Sequence, residues 1–119
     1  LTHQVIATAA YQQRIAALNS PVSRAVVQML ATYAQTPEAL ERKFAGPPLH
    51  DPCVIAYLLQ PQLFQTRSAQ ITIETQSSLT LGRSVIEWTI GPSPLQVATE
   101  IKVEGFFDLL ITALQTCPA

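Results

Sequence analysis

In Gly46-Pro47-Pro48-Leu49-His50-Asp51-Pro52-Cys53-Val54-Ile55-Ala56-Tyr57-Leu58-Leu59 a stiff loop runs directly into an apolar helix. Pro47, Pro48 and Pro52 fix φ and remove three backbone donors, so the loop has little conformational freedom. Pro52 suits the first helical position and Asp51 the cap before it. Val54, Ile55, Leu58 and Leu59 carry the helix to about Gln60, because Pro61 disfavours a helical residue before it. An acid at such a cap accepts from the helix amides or turns outward to a hard cation such as calcium. His50 beside it reads as a plain loop histidine or as the titratable member of a site.

Upstream, Leu1 to Thr8 reads as a strand end or loop, and Ala9 to Leu18 as a short helix with Tyr11, Ile15 and Leu18 as its apolar positions. Ser20-Pro21 is a helix start, and Val22, Val26, Met29, Leu30 and Tyr33 behind it fall on one helical face. Tyr33 is read there as core. Thr36-Pro37-Glu38 repeats the start signal with an acid in the first turn, Leu40 and Phe44 face one way, and Gly46 ends the run.

Beyond Phe64 the period changes to alternation. Ile71, Ile73 and Thr75 take one side, and Gln70, Thr72 and Glu74 the other. Val85 to Ile90 forms a second run, with Ser77-Ser78 and Gly82 as turn chemistry between the two. A third, Leu95, Val97, Thr99, Ile101 and Val103, follows the Gly91-Pro92-Ser93-Pro94 breaker. Glu104-Gly105 opens a last helix that buries Phe106, Phe107, Leu110, Ile111 and Leu114. Helices, then strands, then a closing helix suit the tail of an α/β domain whose other strands lie upstream.

The 119 residues make one domain at most, 48% of them hydrophobic and 13% charged, with a formal net charge of -1. Seven scattered Lys and Arg form no basic stripe, which argues against nucleic acid as a partner. Eight acids and seven bases are few for a free-standing domain of this size, so part of its surface is expected to be covered. The chain opens on Leu1 and its one methionine is Met29, so it reads as a piece of something longer. No apolar run approaches the roughly 20 residues of a membrane helix, and no secretory signal is visible. A cytoplasmic compartment is expected, with Cys53 and Cys117 as free thiols rather than a disulfide. Trp88 reads as packing, Arg42 and Lys43 as a solvated face, and His3 as a residue outside the site.

The proline-framed His50-Asp51 and the helix after it resemble the late signature of the inosine-uridine-preferring nucleoside hydrolases. Leu1-Thr2-His3-Gln4 is similar to the opening of the last third of that family. Ile73-Glu74-Thr75, Leu81-Gly82 and Gly105-Phe106-Phe107-Asp108-Leu109-Leu110 fit its final strands and helix. The resemblance implies an α/β, Rossmann-like nucleoside hydrolase fold of which residues 1–119 form a single partial domain, the C-terminal portion. It also implies hydrolysis of the N-glycosidic bond of ribonucleosides with one calcium ion, and assembly as a homo-oligomer. Asp51 stands where the family has a calcium ligand. His50 stands where the family has a base-side residue that helps the leaving base depart. Such cleavage passes through an oxocarbenium-like state and needs an activated water on one face and leaving-group stabilisation on the other.

The family's aspartate cluster, D-x-D-x-x-x-D-D, is absent, the only acids before Asp51 being Glu38 and Glu41, and Asn19 is the sole asparagine. One carboxylate cannot satisfy a calcium ion that wants about 6–8 oxygens, so the isolated chain is expected to bind calcium weakly and to turn over nothing. An N-terminal portion or second chain is expected to complete it. Two other readings stand beside this one: a catalytically silent remnant acting as an oligomerising module, and a metal-binding protein using His3, His50, Cys53 and Cys117.

Overall fold

The structure, a computed structural model, describes every residue except Pro92, Pro118 and Ala119, and the side chains of the rest apart from Glu38 and Ala39. Pro92 of the breaker and the Glu38 side chain of the first-turn acid therefore lie outside the described residues. Five α-helices are described: α1 (Ala9–Ala16), α2 (Pro21–Tyr33), α3 (Pro37–Arg42), α4 (Pro52–Leu59) and α5 (Val103–Thr116). Three strands, β1 (Phe64–Ile73), β2 (Ser84–Trp88) and β3 (Leu95–Ile101), lie between α4 and α5 in sequence, and Thr2–Gln4 and Pro61–Leu63 form 3-10 turns. The order is the helices, strands and closing helix expected of this α/β chain. No helix among the described residues is long and apolar enough to cross a membrane.

Two compact units are present, one of Leu1–Leu63 with the chain from Ile101 onward, the other Phe64–Glu100. In the first, α1 packs on α2 and α5, and α5 packs on α4. Its core holds Val5, Ala7, Ile15, Leu30, Cys53, Ala56, Phe106 and Phe107. Tyr11 stacks on Phe107 with ring centroids 3.6 Å apart, and Phe106 meets Phe107 edge-on at 5.3 Å. Across the surface of the same seam, Arg14 bridges Glu104 and Asp108 at 2.6 Å each, and the Tyr11 hydroxyl donates to Glu104 at 2.7 Å. Of the five residues expected to be buried on α5, only Phe106 and Phe107 are fully so. Leu110, Ile111 and Leu114 are half-buried.

In the second unit the strand order is β2-β1-β3, with β1 and β2 antiparallel and Ile71 opposite Ile86. The turn between them relies on Gly82, whose φ of 83° is open to glycine without strain. Glu74 accepts from the amides of Gln76 and Ser77 there, and these bonds hold its carboxyl below the usual range. All three expected runs go two residues past the strands, the first ending at Ile73 with Glu74 and Thr75 beyond it. The second stops at Trp88 because Ile90 stands free in solvent before Gly91 turns at φ 101°. The third stops at Ile101 because Lys102 donates its amide to Leu63 and becomes the residue before α5, taking Val103 into the helix. Trp88 does pack, beneath the Arg67 guanidinium 4.2 Å from the ring centroid, yet stays half exposed.

Candidate functional site

The loop carrying His50 is pinned to the first residues of the chain. Ala7 donates its amide to Pro47 at 2.8 Å, Leu49 donates to Val5 at 2.9 Å, and Ile6 and Pro48 face each other as an antiparallel bridge. The two bonds come from residues 47 and 49, so Pro48 is never asked for the N–H it lacks. Gly46 makes this closeness possible, since a Cβ there would collide with the carbonyl oxygen of Ala7.

That bridge brings the Thr2–Gln4 turn onto the loop. Thr2 Oγ1 lies 2.6 Å from His50 Nδ1, and the His3 ring meets His50 edge-on at 5.4 Å. Arg42 holds His3 Nε2 at 3.0 Å from the far side. A guanidinium has no acceptor, so His3 Nε2 accepts here. Helix α3 ends at Arg42, four residues before Gly46, because Lys43 takes a left-handed φ of 51° and sends Phe44 against His3 at 5.2 Å. His3 thus stands beside His50, where its reading as a residue outside the site did not expect it, while Arg42 stays exposed, as its reading as solvated surface expected, and reaches His3 from there.

Asp51 stands before α4 but does not cap it. A capping side chain reaches back to the first-turn amides from an extended backbone. Ser20 does so before α2, at φ -95° and ψ 160°, in a reciprocal pair with Ser23. Asp51 is already helical, at φ -62° and ψ -40°, and its exposed side chain makes no capping bond. Of the two roles open to this acid, the cap is not the one taken.

A cleft of about 410 Å³ opens beside it, walled by Val26, Met29, Leu30 and Tyr33 of α2, by residues 47–52 and by Leu110. Tyr33 is 40% exposed on this wall and is not the core residue its spacing suggested. A second, almost wholly apolar groove of about 380 Å³ lies between α4 and α5. Asp51 and Pro52 border both. Behind the loop, Cys53 is buried and donates to the Leu49 carbonyl at 3.1 Å, and burial pushes its thiol up. Cys53 and Cys117 are both free thiols.

The arrangement offers one exposed carboxylate and one oriented imidazole lining one apolar cleft. Among the described residues no group of three His, Cys, Asp or Glu could hold a metal ion. His3, His50, Cys53 and Cys117 therefore do not converge into such a group.

A family model described as inosine-uridine preferring nucleoside hydrolase matches residues 1–108. The pyrimidine-specific ribonucleoside hydrolase RihA of Shewanella sp. (strain MR-7) is 39% identical over 117 residues, covering 96% of this chain and 37% of that protein. RihA of Salmonella agona (strain SL483) is 35% identical over 118 residues, covering 97% and 38%. In fold the chain resembles a purine-preferring ribonucleoside hydrolase from Gardnerella vaginalis, with a TM-score of 0.76 at 24% identity, over 96% of this chain and 37% of that one. The chain spans little more than a third of the length of the relatives it matches.

Proposed function

The chain belongs to the inosine-uridine preferring nucleoside hydrolase family, and we propose from this that it forms one wall of a site cleaving the N-glycosidic bond of ribonucleosides, completed by an N-terminal portion of the fold. The observation that carries this reading is the pair His50 and Asp51 lining one cleft, the carboxylate not engaged in capping its own helix and the imidazole held by Thr2. Ribonucleosides are the substrate class that the names of the similar proteins share.

In this reading the faces divide the work. His50 uses the ring nitrogen not held by Thr2 to donate a proton to the departing base, and Met29 and Tyr33 give that base an apolar and aromatic wall. Asp51 contributes one oxygen ligand to a calcium ion whose remaining ligands the N-terminal portion brings. The isolated chain is inactive and takes up calcium only weakly, because a single carboxylate falls far short of about 6–8 oxygens.

The test is ribose release by the completed protein on uridine, inosine and p-nitrophenyl riboside. Asp51→Ala is expected to lower calcium affinity and rate together. His50→Ala is expected to cost about 100-fold or more on the nucleosides and much less on p-nitrophenyl riboside, whose leaving group needs no proton. Equal losses on both substrates would remove the leaving-group role, and no ribose release from the completed protein would remove the reading.

A further inference from the structure

Helix α4 is built inside out. Its small residues Cys53 and Ala56 face the core at 3% and 4% exposure, while Val54, Ile55, Leu58 and Leu59 stand 57–72% exposed. The four lie within one side of the helix, at offsets of 0, 1, 4 and 5 residues. A helix whose outer face meets water carries its charged residues there, and α4 has none between Pro52 and Leu59. Alongside, Ile55 and Leu59 line the apolar groove with Leu109, Leu110 and Ala113 of α5, and Asp51 is its only charged lining residue.

We propose that this α4 face and groove are the docking surface for the N-terminal portion of the nucleoside hydrolase fold, through an uncharged apolar segment of it. The proposal rests on the family reading above. The chain matches its solved neighbour at a TM-score of 0.76 yet spans only 37% of it, so the larger part of that fold has to meet this third of it somewhere. A patch of four adjoining large aliphatic side chains marks an interface on a soluble protein. The position of Asp51 adds a second reason for this occupant over another copy of the chain. A segment seated between α4 and α5 would border Asp51, where the proposed site would want further oxygen ligands, whereas a second copy of this chain brings no aspartate cluster.

The test is co-expression of the 119-residue chain with the part of Shewanella sp. (strain MR-7) RihA that it does not span, the complex being sized by light scattering and its affinity measured by titration. A one-to-one complex is expected. Leu58→Glu is expected to weaken it about 30-fold or more, from the cost of placing a charge where a leucine was buried. The fold of the chain alone should be unchanged, because Leu58 is 72% exposed in it. Val85→Glu, on β2, should leave the affinity as it was. In a single-chain fusion of the two parts, Leu58→Glu should lower the melting temperature, and in the isolated chain it should not.

Absence of a complex, or a complex and fusion indifferent to Leu58→Glu, would overturn the proposal. So would a homodimer of the chain that Leu58→Glu breaks, which would make a second copy the occupant. Binding is read without any assay of hydrolysis. A complex that releases no ribose overturns the proposed function and leaves the docking surface standing.

Discussion

Thr2 Oγ1 and His50 Nδ1 lie 2.6 Å apart across 48 residues of sequence. One nitrogen of the imidazole is thereby committed to the chain's first turn and the ring plane is fixed. Thr2→Val keeps the shape and deletes the bond, so the chain should lose about 1 kcal/mol in urea denaturation. Thr2→Ser should restore it. A valine variant as stable as the parent, with the same His50 side-chain NMR signals, would show that the bond holds nothing.

Gly46→Ala should be the most damaging single methyl in this part of the molecule. Its Cβ would meet backbone on the Ala7 side, the carbonyl oxygen first, and backbone cannot swing away as a side-chain tip can. A loss of about 1–3 kcal/mol is expected, the usual range for overpacking. The nuclear Overhauser contacts between His3 and His50 should weaken with it. Stability and contacts both unchanged would mean that the loop tolerates the shift.

Tyr11 gives the fold an alkaline limit. The hydrogen bond from its hydroxyl to Glu104 raises its pKa above the ordinary tyrosine value, with partial burial and the charge of Glu104 adding to the rise. A raised pKa means that the folded state holds the proton more tightly. The contribution is thus fully present below the unfolded tyrosine value and is lost as pH climbs through the folded one. Phenolate absorbance of the native chain should include a late-titrating component that Tyr11→Phe removes. If the variant titrates as the parent does, the Glu104 bond is not formed in solution.

The two thiols should separate cleanly by reactivity. Cys117 is exposed, while Cys53 is buried and bonded to Leu49. A disulfide reagent should therefore label one thiol quickly in the native chain and both in denaturant. Fast labelling of Cys53 without denaturant would mean that the loop behind His50 opens readily.

Much of the fold was legible because its signals are local. Ser20-Pro21 opens α2, Gln60-Pro61 closes α4, and the change of period after Phe64 marks the sheet. Ser20-Pro21 and Asp51-Pro52 look alike as text, yet one caps and the other does not, because the backbone angle of the first residue decides and no side chain encodes it alone. The early end of α3 at Arg42 was hidden for a similar reason, a left-handed Lys43 that local sequence does not demand. His50 and Asp51 were visible by proximity and by family resemblance. Thr2 and His3 were not, since they reach His50 only through the pairing of Val5–Ala7 with Pro47–Leu49, a long-range event with no pattern in either segment. Tyr33 followed helical spacing onto the right face, but that face fronts a cleft along half its length.

The Ile6–Pro48 bridge makes the front of the chain a remote fastening for the loop that carries His50 and Asp51. Trimming the seven residues before Thr8 would leave every atom of His50 and Asp51 in place in the polypeptide and still set their loop adrift, by cutting the mooring that keeps it on station.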